Sequence, residues 1–205
     1  MRKNKIVAVL ISCFVTMSLW SQTNQSVLPE EDNTTISVIH KRTSIRQFTD
    51  QKLTKEQLET LVRAGMAAPS SVNAQPWHFI IVDDPELLQL IGGSVNTSKS
   101  VSEAPAAILV CGDMHKAKEG WLQQYWIQDC SAASQNILLA ATSMGLGAVW
   151  TSIYPAEDRI KKVAEILSLP NYIIPLNVIP VGYPKTPKQP MDKWKPTNVS
   201  WNIWK

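Results

Sequence analysis

Three short stretches carry side chains able to do chemistry. In "KRTSIR", Lys41 to Arg46, the guanidiniums of Arg42 and Arg46 flank the hydroxyls of Thr43 and Ser44. Arginine offers forked donors that match phosphate or carboxylate oxygens, so this run has the makings of an anion seat. In "APSSVNAQPW", Ala68 to Trp77, Pro69 and Pro76 bracket Ser70, Ser71, Asn73 and Gln75. Each primary amide there holds a donor and an acceptor in one plane. Such groups complement a heterocycle edge that alternates C=O and N–H. In "DKWKP", Lys193 and Lys195 stand two apart and share one side of an extended segment. Each stretch also has a plainer reading: a solvated basic turn, ordinary loop composition, and a surface charge pair.

Other chemistries find no footing. His40, His78 and His115 are scattered and share no metal-ligand spacing with cysteine or acid. No G-x-S-x-G elbow is present to support a serine hydrolase. The "GLG" at Gly145–Gly147 would need its third glycine at Trp150. A helix precedes it and a strand follows, the reverse of the order that puts a dinucleotide phosphate on a helix N-terminus.

The elements that must position these groups alternate from Ser37 onward. Residues 54–68 read as a helix, with Thr54 as N-cap, Gln57 at capping-box spacing and Leu58, Leu61 and Val62 on one face. Pro69 stops it. Trp77–Val82 reads as a strand, "PELLQLIG" as a short helix, and Pro105–Gly112 as a second, buried strand. Trp121–Gly145 reads as one long helix whose apolar second half should be buried all round, against another surface or a second subunit. "AVWTSI" is a strand, Ala156–Leu169 an amphipathic helix, and Ile174–Pro184 a final strand. Alternating strands and helices suit a layered domain.

The chain has 205 residues, 44% hydrophobic and 18% charged, enough for one domain with a sizeable core. Its first residues stand apart. "MRKNK" and the uncharged apolar run Ile6–Trp20 precede a polar stretch, the order of a secretory signal, and the run is short for a membrane span. The expected organisation is a signal over residues 1–21, a polar linker over 22–36 and one domain over 37–205. Export to the periplasm follows. The alternatives are a lipid anchor at Cys13, an uncleaved membrane anchor, or a cytoplasmic protein. Removing residues 1–21 takes away Arg2, Lys3 and Lys5 and no acid, so the formal +3 falls to 0 and gives no reason to expect nucleic acid. Cys111 and Cys130 read as two separate buried thiols.

Taken in order, the segments beginning "RTSIRQFTD", "QDCSAASQN" and "LPNYIIPLN" resemble the nitroreductase family of FMN-dependent oxidoreductases, over residues 37–204. The resemblance implies an α+β three-layer fold, a mixed central sheet flanked by helices, and a homodimer with two FMN molecules in its interface. It implies that Arg42, Thr43, Ser44 and Arg46 hold the FMN phosphate, ribityl chain and pyrimidine edge, and that Lys193 and Lys195 reach the phosphate. Pro69, Ser70, Ser71, Asn73 and Gln75 would surround the ring. Trp150, Thr151 and Ser152 would lie along it near N5, where relatives often carry an acid or glycine and this chain has Ser152-Ile153. The implied activity is ping-pong hydride transfer from NAD(P)H through the flavin to a nitroaromatic, quinone or similar acceptor, with no obligatory catalytic side chain. Reductive dehalogenation, flavin destruction and non-catalytic flavin binding are the other chemistries the resemblance allows.

Overall fold

The computed structural model describes residues 34–95 and 99–204. The expected signal, Cys13 and most of the expected linker lie outside the described residues. The first helix, α1 (Thr35–Lys41), begins two residues inside the stretch expected as linker, because the Thr34 hydroxyl caps it by accepting the Ser37 N–H. In α2 (Lys55–Met66) the capping box forms as its spacing predicts: Thr54 Oγ1 accepts Gln57 N–H at 3.2 Å and Gln57 Oε1 accepts Thr54 N–H at 2.9 Å. Leu58, Leu61 and Gly65 turn inward.

A five-stranded sheet occupies the middle: β1 (Trp77–Val82), β2 (Ala106–Asp113), β3 (Gly147–Ala148), β4 (Thr151–Ser152) and β5 (Ile173–Gly182). The order runs β1-β2-β5-β3, with β4 also on β5, and every strand pair is antiparallel. One parallel bridge, Ser44 to Ala148, gives the sheet its mixed character. Alternation of elements along the chain thus does not produce crossover units here, and the fold is α+β. The expected "AVWTSI" strand splits into β3 and β4, although both hold one register against β5. That register sets Val149 opposite Pro180, which has no N–H to donate to a ladder.

Strand β2 is buried along its whole length, so its alternate residues feed two cores. Ala106, Ile108 and Val110 pack with α2 and with α4 (Trp126–Ser143), where Trp126, Cys130, Ala133 and Ile137 turn inward. Ala107, Leu109 and Cys111 pack on the other side with α3 (Pro85–Val95) and α5 (Glu157–Ile166) through Leu88, Ile91, Val95 and Val163. Three layers result. Ile137 sits at the α2–α4 contact, where Gly65 has no room to spare: an added Cβ would lie 3.1 Å from Ile137 Cδ1. Ile137→Ala is therefore expected to lower unfolding free energy by about 2–5 kcal/mol, read from the urea midpoint at unchanged slope.

The expected long helix divides. Gly120–Tyr125 forms a 3-10 helix, and α4 proper starts at Trp126. Its second half is not buried all round, since Asn136, Leu139 and Ala140 remain half-exposed in the single chain. Cys111 and Cys130 are free and buried, as expected. Loss of water pushes the Cys111 thiol up to about 12 and the Cys130 thiol up as well, so both stay protonated and unreactive at neutral pH.

Candidate functional site

The Arg42–Arg46 run leaves the end of α1, where the Arg42 N–H caps the helix on Val38 O. It then lies against β3: Ile45 N–H donates to Ala148 O at 3.1 Å. Gly147 permits this approach, because a Cβ there would come within 2.6 Å of Ile45 Cγ2. Ile45 anchors the run in the core while Arg42, Thr43 and Ser44 are half-buried and Arg46 is exposed. Lys185 N–H donates to Gln47 O, which ties the root of the C-terminal tail to the same place. Ser44 to Gln47 and Thr186, Pro187 and Lys188 line a cavity of about 390 Å³. Lys193 and Lys195 follow on the exposed tail. The structure brings the seat and the tail's root together, with Lys193 five residues beyond Lys188.

The Pro69–Gln75 loop has an unusual backbone. Val72, Asn73 and Gln75 all sit at positive φ, 47°, 55° and 50°. Left-handed backbone suits asparagine and disfavours β-branched valine, and such residues cost about 1–3 kcal/mol each. The loop binds itself into shape: Asn73 N–H donates to Ser70 O, Gln75 N–H to Ser70 Oγ at 2.9 Å, and Gln75 Nε2 to Asn73 Oδ1 at 3.3 Å. Asn73 and Gln75 are exposed, and Ser70 and Ser71 half-buried.

Trp150 and Ser152 form a third surface, two and four residues past the Ala148 that pairs with Ser44. Trp150 Nε1 donates to Ser152 Oγ at 2.9 Å, and Arg159 Nη1 donates to Ser152 O at 3.1 Å. Thr151, grouped with them on sequence grounds, is 5% exposed, so only its neighbours present side-chain surface.

Within one chain these pieces do not all meet. Ser71 is held to Asp129 at the start of α4, whereas Ser44 pairs with Ala148 just past its end. From Asp129 to Ser143 the helix rises about 21 Å. The sheet gives a second ruler: Trp77 faces Gly112, which faces Ile174, while Ala148 faces Val181. Ile174 to Val181 spans about 23 Å of strand. The amide loop and the arginine seat therefore occupy opposite ends of the molecule's long helix.

Asp129 is the residue that sequence reasoning passed over. It is 6% exposed, its Oδ1 accepts the Ser71 N–H at 2.9 Å, and its Oδ2 is buried without a partner. A signal existed: Trp126, Asp129, Cys130, Ala133 and Ile137 follow helical spacing, which puts one acid on an apolar face.

The site thus comprises a three-layer α+β body that carries an arginine–hydroxyl run at one end and a strained amide loop at the other. Comparison with known proteins gives that architecture a family. The model described as "Nitroreductase family" matches residues 39–126 and 93–183. A Methanothermobacter thermautotrophicus protein provisionally assigned as an NADH dehydrogenase/NAD(P)H nitroreductase is 41% identical over 169 residues, 82% of this chain and 87% of that one. A Parabacteroides distasonis crystal structure under the same provisional assignment is 47% identical with a TM-score of 0.79, covering 83% of this chain and 98% of that one. An FMN-dependent nitroreductase from Clostridium difficile R20291 superposes with a TM-score of 0.76 at 29% identity, over 82% and 99% of the two chains. The chain belongs to the nitroreductase family.

Proposed function

We propose that this protein is an FMN-dependent oxidoreductase that takes reducing equivalents from NAD(P)H and passes them to a small electron-poor acceptor, working as a homodimer. The observation that carries the reading is the split site. The seat that suits a phosphate and the loop that suits a ring edge stand at opposite ends of α4, with an uncovered apolar surface between them.

That surface is a groove of about 350 Å³ lined by Thr35, Val38, Ala64, Asn136, Leu139 and Ala140, among others. Helix α1 buries none of its residues, although Ile36 and Ile39 are apolar and exposed at 43% and 44%. A second copy related by a two-fold axis that passes through this groove perpendicular to α4 would run its α4 antiparallel to the first. The Pro69–Gln75 loop of each copy would then come to the Arg42–Arg46 seat of the other. Two complete sites result from two incomplete halves.

The residues present fit FMN. Arg42 and Arg46, with Thr43, Ser44 and the tail lysines Lys193 and Lys195, supply the cations and hydroxyls a phosphate needs. Asn73 and Gln75 supply planar amides for the pyrimidine edge, and Ser70, Ser71 and Pro69 shape the loop around it. Trp150 and Ser152 wall the remaining side. Bound FMN would supply hydride acceptance and release. The chain's part is to neutralise the phosphate, orient the ring and exclude water.

The test is an absorbance spectrum of the purified protein before and after anaerobic NADPH. Flavin bands that bleach on addition are the expected result. A colourless protein that cannot be reconstituted with FMN would sink the reading.

A further inference from the structure

We infer that Asp129 is a positioning residue, whose buried carboxylate holds the Pro69–Gln75 loop in its left-handed, cofactor-ready shape. The inference rests on the flavin reading above and concerns a residue that contacts the loop's backbone rather than the ligand.

Among the described residues, the Ser71 N–H to Asp129 Oδ1 bond is the one hydrogen bond that ties Pro69–Gln75 to another element. The remaining bonds of the loop close on itself, from Asn73 N–H to Ser70 O and from Ala74 N–H to Ser71 O. They define a shape without fixing it to the body. Three non-glycine residues at positive φ, one of them β-branched, make that shape unfavourable in isolation. Something outside the loop has to hold it, and a carboxylate does so more strongly than a neutral acceptor.

Asp129 is also odd as a mere helix-start acid. Acids near a helix N-terminus are favourable and usually face water. This one faces inward between Trp126 and Cys130, 6% exposed, and leaves Oδ2 buried without a partner. A buried carboxylate with one oxygen unmet is a standing penalty for folding. An alanine or serine would avoid it. The penalty is intelligible if the remaining oxygen does what no apolar residue can, gripping the Ser71 amide at the base of the strained turn. The next residue along the chain supports the same point, since Pro76 O accepts Asp113 N–H at 2.9 Å and fixes where the loop ends.

The test uses the full-length protein with two readouts. Amide hydrogen exchange at Ser71, Asn73 and Ala74 in the apoprotein reports the loop, and flavin-fluorescence titration reports FMN affinity. In Asp129→Ala, exchange at those amides should quicken while β2 stays protected, and FMN should bind at least about tenfold more weakly. Asp129→Asn keeps the shape and an acceptor, folds even if the alanine variant does not, and should weaken FMN binding about fivefold. Val72→Gly relieves the left-handed strain, so adding it to Asp129→Ala should restore part of the lost affinity. A role confined to stability predicts that any rescue simply follows the unfolding midpoint. It also predicts that Val163→Ala, in the opposite core, would disturb FMN binding equally.

Loop exchange unchanged in both Asp129 variants would overturn the inference. So would wild-type FMN affinity in a variant whose loop has loosened. A wild-type protein that takes up no FMN would overturn the flavin reading and Asp129's part in it. The exchange data would still show separately whether the carboxylate pins the loop.

Discussion

Arg42→Ala combined with Lys193→Ala is expected to weaken FMN binding by roughly 100- to 10,000-fold. In the proposed site each side chain would offer the phosphate a charge-assisted hydrogen bond of a kind that contributes about 1.5–3 kcal/mol, and every 1.4 kcal/mol is about tenfold in Kd. Arg42 is half-buried where α1 ends, and Lys193 is exposed on the tail that leaves the cavity wall at Lys188. Neither fills the core. The apoprotein's thermal midpoint should therefore stay close to wild type while its flavin content collapses, and that contrast separates a ligand contact from a folding defect. The measurement is bound flavin after gel filtration, followed by titration of the apoprotein. Undiminished flavin in the double variant would remove the phosphate assignment. Arg42→Lys should recover only part of the loss, because an ammonium lacks the planar fork.

Leu139→Arg is expected to empty the site from a distance. Leu139 is half-exposed in the groove beside Val38 and Ala140, so a single chain accommodates an arginine there at little expense. In a two-fold dimer the same substitution appears twice across one apolar contact, and desolvating an unpaired charge costs several kcal/mol. Sedimentation should shift from dimer to monomer, and bound FMN should be lost with it, even though Leu139 belongs to neither the seat nor the loop. Both losses should follow one dependence on protein concentration. A monomeric variant that keeps FMN at wild-type affinity would refute the composite site. A variant that stays dimeric would show that the two copies meet elsewhere.

These two experiments also mark where local reasoning succeeds. Thr54 and Gln57 sit at a spacing that forms a capping box through bonds spanning only three residues, so α2 starts where its residues say it should. Strands Trp77–Val82 and Ala106–Asp113 were legible as apolar runs for a similar reason. The long helix was read correctly only from Trp126. The stretch from Gly120 to Tyr125 tightens into a 3-10 turn, with Gly120 at a φ of 70° that apolar spacing does not reveal. The β3–β4 interruption depends on which residue stands opposite, and Pro180 lies some thirty positions away along the chain.

The same division holds at the site. Chemical types are properties of single residues: arginines beside hydroxyls, amides between prolines and a lysine pair can each be read as donors for a phosphorylated heterocycle wherever they end up. Their separation cannot. It takes the length of α4 and the register of β5 to show that the amide loop and the arginine seat stand more than 20 Å apart in one chain. Asp129 escaped notice because an acid near a helix start has an ordinary explanation, and only the folded chain shows it turned inward onto Ser71. By itself, then, the sequence determined the α2 capping box, the strands β1 and β2 and the chemical types of the candidate donors, since these rest on single residues or on contacts within a few of them. Tertiary structure alone decided which donors stand apart in one chain, which strand register interrupts which ladder, and which apolar surface is left uncovered. Those depend on packing between residues far apart in the chain.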